Sequence, residues 1–437
     1  MRIAIYTLGC KVNQVETQAM ERELLRRGHT LADFDGPADA YIVNTCTVTA
    51  VSDKKCRNLI RRARKNGEAV VAVCGCYAQT DPAAVSALGV DLVSGSAGRM
   101  AFLDQLEKML NAKNGQVILV EPDGARRDLS HRDFERLPAG GAAGRTRAML
   151  KVEDGCANFC SYCVIPYARG PVRSLPLEEA AREAKRLATE GYREIVLTGI
   201  EISSWGRDLR TGEALIDLME AVCAAAPGCR IRLGSLEPRT ITEEFCARAA
   251  KLPNLCPHFH LSLQSGCDAT LKRMNRKYDA ARFLESVELL RGHFDRPAVT
   301  TDLIVGFPGE TEGEFAQTLD FLRRCAFSAM HIFPYSKRPG TPAAAMPDQI
   351  PNAVKEARAK EAAAVAAQME RRYLEQWQRV EVLFEEEKDG LWWGHTTRYC
   401  RVGVRSADNL HNQLRQVEVT GVEGSALLGE LAPEPEP

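Results

Sequence analysis

Short apolar runs recur through the first hundred residues: RIAIYTL at 2–8, AYIVNT at 40–45, AVVAVCG at 69–75 and VDLVSG at 90–95. Between them lie stretches with helical spacing of apolar positions, among them Thr17 to Arg27 and Asp53 to Lys65. Such alternation predicts βαβ units, hence a parallel sheet covered by helices. From about Asn111 to Arg147 the chain turns polar, rich in Gly and Arg with PAGGAAG near its end, and reads as a linker.

A second βα series follows, through MLKVEDG, REIVLTGI, RIRLGSL, HFHLSLQ, AVTTDLIVGF and AMHIFPYS, with helical stretches such as Pro176 to Glu190 and Leu215 to Ala226 between them. About six repeats predict a partial barrel of the TIM type, in which functional residues gather at the C-terminal ends of strands. A long alanine-rich charged helix is expected from Asn352 to about Trp377. The β-runs VEVLFEE, LWWGHTT, CRVGVRS and QVEVTGVEGSALLGEL then predict a small β-barrel. The expected division is 1–125, a basic linker at 126–147, a core at 148–374, the terminal barrel at 375–432 and a disordered tail at 433–437.

Composition narrows the class. At 437 residues several domains are expected, and no apolar run approaches the ~18 residues of a membrane span. MRIAIYTLGC lacks the apolar core of a secretory signal, so a cytoplasmic enzyme is expected. A net charge of -1 gives no global pull on nucleic acid, although Lys54 to Lys65 and the Arg-rich 126–147 stretch are locally basic. The first reads equally as a solvated helix face and the second as a disordered linker.

The 15 cysteines change the picture more. An odd number without an export signal argues for metal or redox chemistry over a disulfide framework. In GCANFCSYCVIPYARG, Cys156, Cys160 and Cys163 stand in C-x3-C-x2-C spacing just after a strand. Three thiolates in a compact loop can hold three irons of a [4Fe-4S] cube and leave the fourth open. A zinc knuckle is the alternative, but zinc wants a fourth ligand and no His or Cys stands close by in sequence. Cys10, Cys46 and Cys76 follow three successive predicted strands, at the sheet edge where open α/β folds bind ligands. Cys74 reads as packing, and the remaining cysteines show no ligand spacing.

The ordered motifs TLGCKVNQ, NTCTVT, GCYAQ, CANFCSYC, HLSLQSG with RMNRKY, TDLIVGFPGET and FPYSKRPGTPA resemble the methylthiotransferase family of radical S-adenosylmethionine (SAM) enzymes over essentially the whole chain. The resemblance implies an α/β architecture of three parts: a flavodoxin-like N-terminal domain, a radical SAM partial barrel and an RNA-binding TRAM barrel. It implies two [4Fe-4S] clusters. Cys10, Cys46 and Cys76 would ligate an auxiliary cluster, and Cys156, Cys160 and Cys163 the SAM-coordinating one. SAM would serve as methyl donor and radical source, with Tyr162, Gly199, Glu201 and Gly306 at its site. Glu201 stands where many members carry an amide or a histidine.

The implied reaction is methylthio insertion into tRNA. TLGCKVNQVET is closest to the branch acting on carbon 2 of N(6)-threonylcarbamoyladenosine at position 37, next to the anticodon. Isopentenyladenosine and a ribosomal-protein aspartate are the alternative substrates. Implied partners are the tRNA anticodon stem-loop, a low-potential electron donor such as flavodoxin or ferredoxin, and a sulfur donor, with no membrane. A cation for the threonyl carboxylate is expected among Arg232, Arg239, Arg273, Arg276, Lys277, Lys337 and Arg338. Trp392, Trp393, His395, Arg398, Tyr399 and Arg401 of the terminal barrel are expected to contact RNA.

Overall fold

The computed structural model describes residues 1–112, 115–120, 129, 132–141 and 146–433. Much of the Arg-rich 126–147 stretch, and the expected disordered tail beyond Pro433, lie outside the described residues.

Strands β1 (Arg2–Thr7), β2 (Thr30–Ala32), β3 (Ala40–Thr45), β4 (Val70–Gly75), β5 (Leu92–Val93) and β6 (Val117–Ile118) form one parallel sheet in the order 2-1-3-4-5-6. This is the flavodoxin-like order with one further edge strand. Every residue of β3 and β4 is buried, because a central parallel strand is covered on both faces. Ile3, Ile42 and Ala72 meet Met20 and Leu24 of helix Lys11–Arg26 and Phe102 and Leu106 of helix Arg99–Asn111. Tyr41, Val43, Val71 and Val73 meet Cys56 and Ile60 of helix Ala50–Arg64 on the other face. That helix starts at Ala50, three residues before the expected Asp53, because the Thr49 hydroxyl accepts from the Ser52 N–H and caps it.

β7 (Arg147–Lys151) begins the second sheet. β8 (Glu153–Asp154) and β9 (Arg173–Ser174) pair antiparallel and bracket the CANFCSYC loop. β10 (Glu194–Thr198) and β11 (Arg230–Leu233) extend β7 in parallel, in the order 11-10-7. β12 (Ser235–Leu236), β13 (His258–Gln264), β14 (Ala298–Val305) and β15 (Ala329–Pro334) continue in parallel order. The run RIRLGSL, expected as one strand, is broken at Gly234, whose N–H turns back to the Leu197 carbonyl. The result is an open partial barrel, and β7 at its edge lies against helix Lys11–Arg26 of the first sheet.

Helix Asn352–Leu374 packs against β15 and leads to a closed barrel of β16 (Arg379–Lys388), β17 (Leu391–Thr396), β18 (Arg401–Val404), β19 (Leu414–Glu423) and β20 (Ala426–Leu431), in the order 16-17-18-20-19. Val382, Phe384, Trp392, Val402, Val417 and Leu427 fill it. Closure leaves no free strand edge. Among the described residues no helix is long and apolar enough to cross a membrane.

Candidate active site

Cys10, Cys46 and Cys76 stand at the carboxyl ends of the neighbouring strands β1, β3 and β4. Asn13, in the first turn after Cys10, ties the edge together. Its Nδ2 donates to the carbonyls of Leu8 at 3.0 Å and Thr45 at 2.9 Å, and its Oδ1 faces Cys10 Sγ at 3.5 Å. Gly75 has φ +98, and a Cβ there would stand 2.4 Å from the Thr45 carbonyl oxygen. Only glycine lets β4 turn so sharply that Cys76 lands beside its neighbours. Burial pushes the Cys76 thiol up to about 12, and the charges of Cys10 and Cys46 act in the same direction. The three sulfurs are thus electrostatic neighbours. Cys74 faces the apolar core, as packing.

Cys156, Cys160 and Cys163 form the second group. Gly155 has φ +92, and a Cβ would fall 1.9 Å from the Pro171 carbonyl oxygen, so the loop enters by passing against the chain that leaves it. The segment RMNRKY holds the loop from below. Ser161 donates its N–H to Met274 at 3.0 Å and its hydroxyl to the Arg273 carbonyl at 2.8 Å, and Asn275 Nδ2 donates to the Phe159 carbonyl at 2.9 Å. Arg276 Nη1 donates to Cys160 Sγ at 3.1 Å while its Nη2 is held by Glu237 at 2.6 Å. Burial pushes Cys156 and Cys163 up to about 12.

Arg169, the last residue of helix Ile165–Arg169, which immediately follows the second cysteine loop, reaches across to the first group. Its side chain has no exposed surface. Nε donates to Cys76 Sγ at 3.2 Å, Nη2 to Asn13 Oδ1 at 2.9 Å, and Nη1 to Glu16 and to Asp154. Glu16 also meets Arg99 at 2.7 Å, and Asp154 meets Lys151 at 2.7 Å. Opposite the other side of the edge, Arg338 pairs with Asp53 at 2.7 Å and donates to the Thr47 hydroxyl at 2.6 Å.

This network tests the fit of metal clusters. Arg99, Lys151, Arg169 and Arg173 face two carboxylates, Glu16 and Asp154, leaving a buried surplus of positive charge. An anionic set of thiolates beside Cys76 neutralises such a surplus. Among the described residues no three His, Cys, Asp or Glu side chains converge to hold a single metal ion. A cubane does not require that, because each thiolate takes a different iron. The Cys10, Cys46 and Cys76 edge therefore fits an anionic cluster, and Arg276 beside Cys160 offers the second group a cation of the same kind.

Beside Cys156 lie two buried carboxyls. The Glu201 N–H donates to Glu153 Oε2 at 2.7 Å, and Gly199 leaves that carboxylate room, since a Cβ would come within 2.6 Å of the same oxygen. Ser204 donates to one Glu201 carboxyl oxygen, and the other is buried without a hydrogen-bond partner. Burial pushes Glu201 up to about 7 and Glu153 well above the carboxylate range. An orphaned acidic oxygen next to the loop fits the ammonium group of SAM. Tyr162 packs edge-on against Phe307 in a small apolar cluster with Met274 and Tyr335. Gly306 presents no open edge: its N–H is taken by Glu310 at 2.6 Å, and a Cβ would stand 2.4 Å from Lys355 of the long helix.

A cavity of about 550 Å3 opens where the three parts meet, lined by Lys11, Gln14, Arg147, Arg232, Glu385 and Tyr399 among others. Tyr399 stacks on His395 at 4.5 Å, accepts from Arg147 at 3.0 Å and lies 4.8 Å from the Arg232 guanidinium. Arg232 also donates to the carbonyls of Thr396 and Thr397, and Arg398 to those of Asp295 and Arg296. Tyr399, His395 and Arg398, expected on RNA, therefore fasten the terminal barrel to the core. Trp392 is in the barrel's own core, whereas Trp393 lies partly open under the guanidinium of Arg401 at 3.9 Å. The barrel cations expected for a substrate carboxylate are largely engaged: Arg232 with Glu194, Arg273 with Glu314, Arg276 with Glu237 and Arg338 with Asp53.

Residues 150–322 match the radical SAM superfamily model, and residues 2–95 match that of the uncharacterised protein family UPF0004. The solved radical SAM methyltransferase TsrM of Kitasatospora setae shares the fold, with a TM-score of 0.57 and 17% identity over 78% of this chain and 77% of that one. Partial barrel and cysteine loop together define a radical SAM enzyme. The threonylcarbamoyladenosine tRNA methylthiotransferase MtaB of Bacillus subtilis is 38% identical over 95% of this chain and 93% of its own length. Its Thermotoga maritima counterpart is 39% identical over 82% of this chain and 80% of its own. A tRNA-2-methylthio-N(6)-dimethylallyladenosine synthase of Pelotomaculum thermopropionicum is 32% identical over 98% and 97%. The chain belongs to the methylthiotransferase family of radical SAM enzymes, whose cofactors are SAM and [4Fe-4S] clusters.

Proposed function

We propose that the protein inserts a methylthio group at carbon 2 of N(6)-threonylcarbamoyladenosine at position 37 of tRNA. The observation that carries the reaction is the buried Arg169, whose helix directly follows one three-cysteine loop in the chain and whose guanidinium donates to a cysteine of the other group. In this reading Cys156, Cys160 and Cys163 hold the cluster that binds SAM, and Cys10, Cys46 and Cys76 hold the auxiliary one. When bound, the clusters supply the low-potential electron for SAM cleavage and the iron that carries the sulfur.

The chain's own groups do the rest. Glu201 and Glu153 hold the SAM ammonium, with Gly199 giving them room and Tyr162 walling the loop. Arg276 and Arg169 donate to one sulfur of each group and fix its orientation. The Glu16, Arg169 and Asp154 network seals the contact between the two sheets against water. Electrons come from a separate low-potential donor such as flavodoxin or ferredoxin, and the sulfur from a separate donor. The working place is the cytoplasm. Residues 1–125 carry the auxiliary site, 148–374 the radical chemistry, and 375–432 the contact with the anticodon stem-loop.

Relatives named for threonylcarbamoyladenosine favour that substrate, while the dimethylallyladenosine synthase of Pelotomaculum supports the second reading. The test offers reduced, reconstituted enzyme two anticodon stem-loops, one bearing each modified base, and quantifies methylthio product by mass spectrometry. Threonylcarbamoyladenosine is expected to be the better substrate. Preference for the isopentenyl base would overturn the substrate assignment.

A further inference from the structure

We infer that Lys11 is the residue that recognises the carboxylate of the substrate's threonyl group. The inference rests on the substrate proposed above. Lys11 directly follows Cys10 at the start of helix Lys11–Arg26 and lines the cavity between the three parts of the molecule. Its surface is open to that space although protein crowds it closely.

The other strong cations on the cavity wall are occupied. Arg147 is bound to Glu385 at 2.7 Å and to the Tyr399 hydroxyl. Arg232 holds both oxygens of Glu194 at 2.8 Å. Glu385 is further engaged by His395 at 2.6 Å. Lys11 forms no hydrogen bond or ion pair among the described residues, and the charged groups around it are Arg232, Arg147, Glu194 and Cys10. Glu386 shares the cavity wall without contacting Lys11, and Glu194 is taken by Arg232, so the Lys11 side chain stands beside two arginines with no carboxylate bound to it among the described residues. An anion entering the cavity supplies the missing partner, and a lysine–carboxylate contact gains from the restricted access of water. Gln14, one helical turn on, lines the same wall and can donate to the second carboxylate oxygen.

Position supports the carboxylate over a backbone phosphate. In an N6-modified adenine, carbon 2 and the N6 substituent flank the same ring nitrogen. A base whose carbon 2 is presented at the Cys10 edge would have its N6 substituent on the same side of the ring, and Lys11, the next residue in the chain, is a cation that opens into the adjoining cavity. An apolar isopentenyl group would leave Lys11 unpaired, so the same side chain selects between the two bases.

The experiment uses reconstituted enzyme and stem-loops bearing threonylcarbamoyladenosine or its carboxamide, in which the negative charge is removed with little change of shape. Binding is read by fluorescence anisotropy, and KM and kcat by product formation, for wild type, Lys11→Met, Lys11→Gln and Lys11→Arg. Iron content confirms that Cys10 still serves its site in each. Wild type should prefer the carboxylate about tenfold, equivalent to ~1.4 kcal/mol. Lys11→Met and Lys11→Gln should lose that preference through a raised KM, and Lys11→Arg should keep most of it. Retention of the preference by Lys11→Met and Lys11→Gln would overturn the inference and leave the substrate assignment standing. A wild type that rejects the threonylcarbamoyl loop while modifying an isopentenyl one would overturn both.

Discussion

The guanidinium of Arg169 donates to the sulfur of Cys76 at 3.2 Å, joining a residue of the radical SAM loop to a cysteine of the other sheet. The same group spans Asn13, Glu16 and Asp154, so one side chain with a planar fork of donors ties the segment after the second cysteine loop to the edge that carries the first group.

Removing that side chain leaves Glu16 and Asp154 buried with fewer partners. Breaking a buried pair by deleting one member typically costs about 3–5 kcal/mol. Arg169→Met should therefore lower the denaturation midpoint of the metal-free protein markedly, and adding Glu16→Gln should recover part of the loss. Additive effects of the two changes in a double-mutant cycle would show that the contact is not coupled.

Glu201 gives a pH-dependent prediction. Its folded-state pKa is raised from 4.5 to about 7 by burial, so the folded protein holds this proton more tightly than the unfolded chain. Stability is then lost as pH rises between those values, and the penalty is complete above the upper one. Glu201→Gln should stabilise the metal-free protein by about 3 kcal/mol at pH 8 and by almost nothing at pH 4, since each tenfold change in proton affinity is worth ~1.4 kcal/mol. The same variant should bind SAM more weakly once reconstituted. Thermal unfolding at the two pH values and SAM titration read the two halves separately.

Iron content tests the assignment of the cysteines. Reconstituted wild type should carry about eight irons, four per cubane, and changing Cys156, Cys160 and Cys163 together to Ala should leave about four. A wild type that never exceeds about four under strict anaerobiosis contradicts two clusters.

The terminal barrel calls for point changes. Deleting it would strip Arg147, Arg230 and Arg232 of partners on Glu385, Glu381 and the 396–397 carbonyls, so loss of SAM cleavage in a truncation would report damage to the core. Trp393→Ala and Arg401→Ala touch only the outer face. Each should weaken stem-loop binding by about 1 kcal/mol or more, within the range for an aromatic or cationic stacking contact, while deoxyadenosine formation from SAM continues. Unchanged RNA affinity in both would place the RNA face elsewhere.

The strands, and the places of the six cysteines at strand ends and in one short loop, were legible because both signals are local: unbroken apolar runs such as AYIVNT, and thiols just after them or in close spacing. Arg169 was not. It stands in IPYARG like any surface residue, and its partners Glu16 and Asn13 are 153 and 156 residues away. Tyr399 and Arg398 carry the composition of an RNA face, yet composition does not reveal that both also bind core residues across the junction. Lys11 carries no such signal in the sequence, because its place on the cavity wall depends on parts of the chain far from the first motif.

The 93 residues between Cys76 and Arg169 have a consequence for biosynthesis. At about 5–20 residues per second, roughly 5 to 20 seconds of translation separate the two. Throughout that interval the first sheet already has its three thiols, and the helix that will cover Cys76 has yet to leave the ribosome. Iron and sulfide delivered to the nascent chain meet an uncapped edge. Delivered after release, they meet an edge at which Cys10 stays exposed while Cys76 is already capped by the buried ion network.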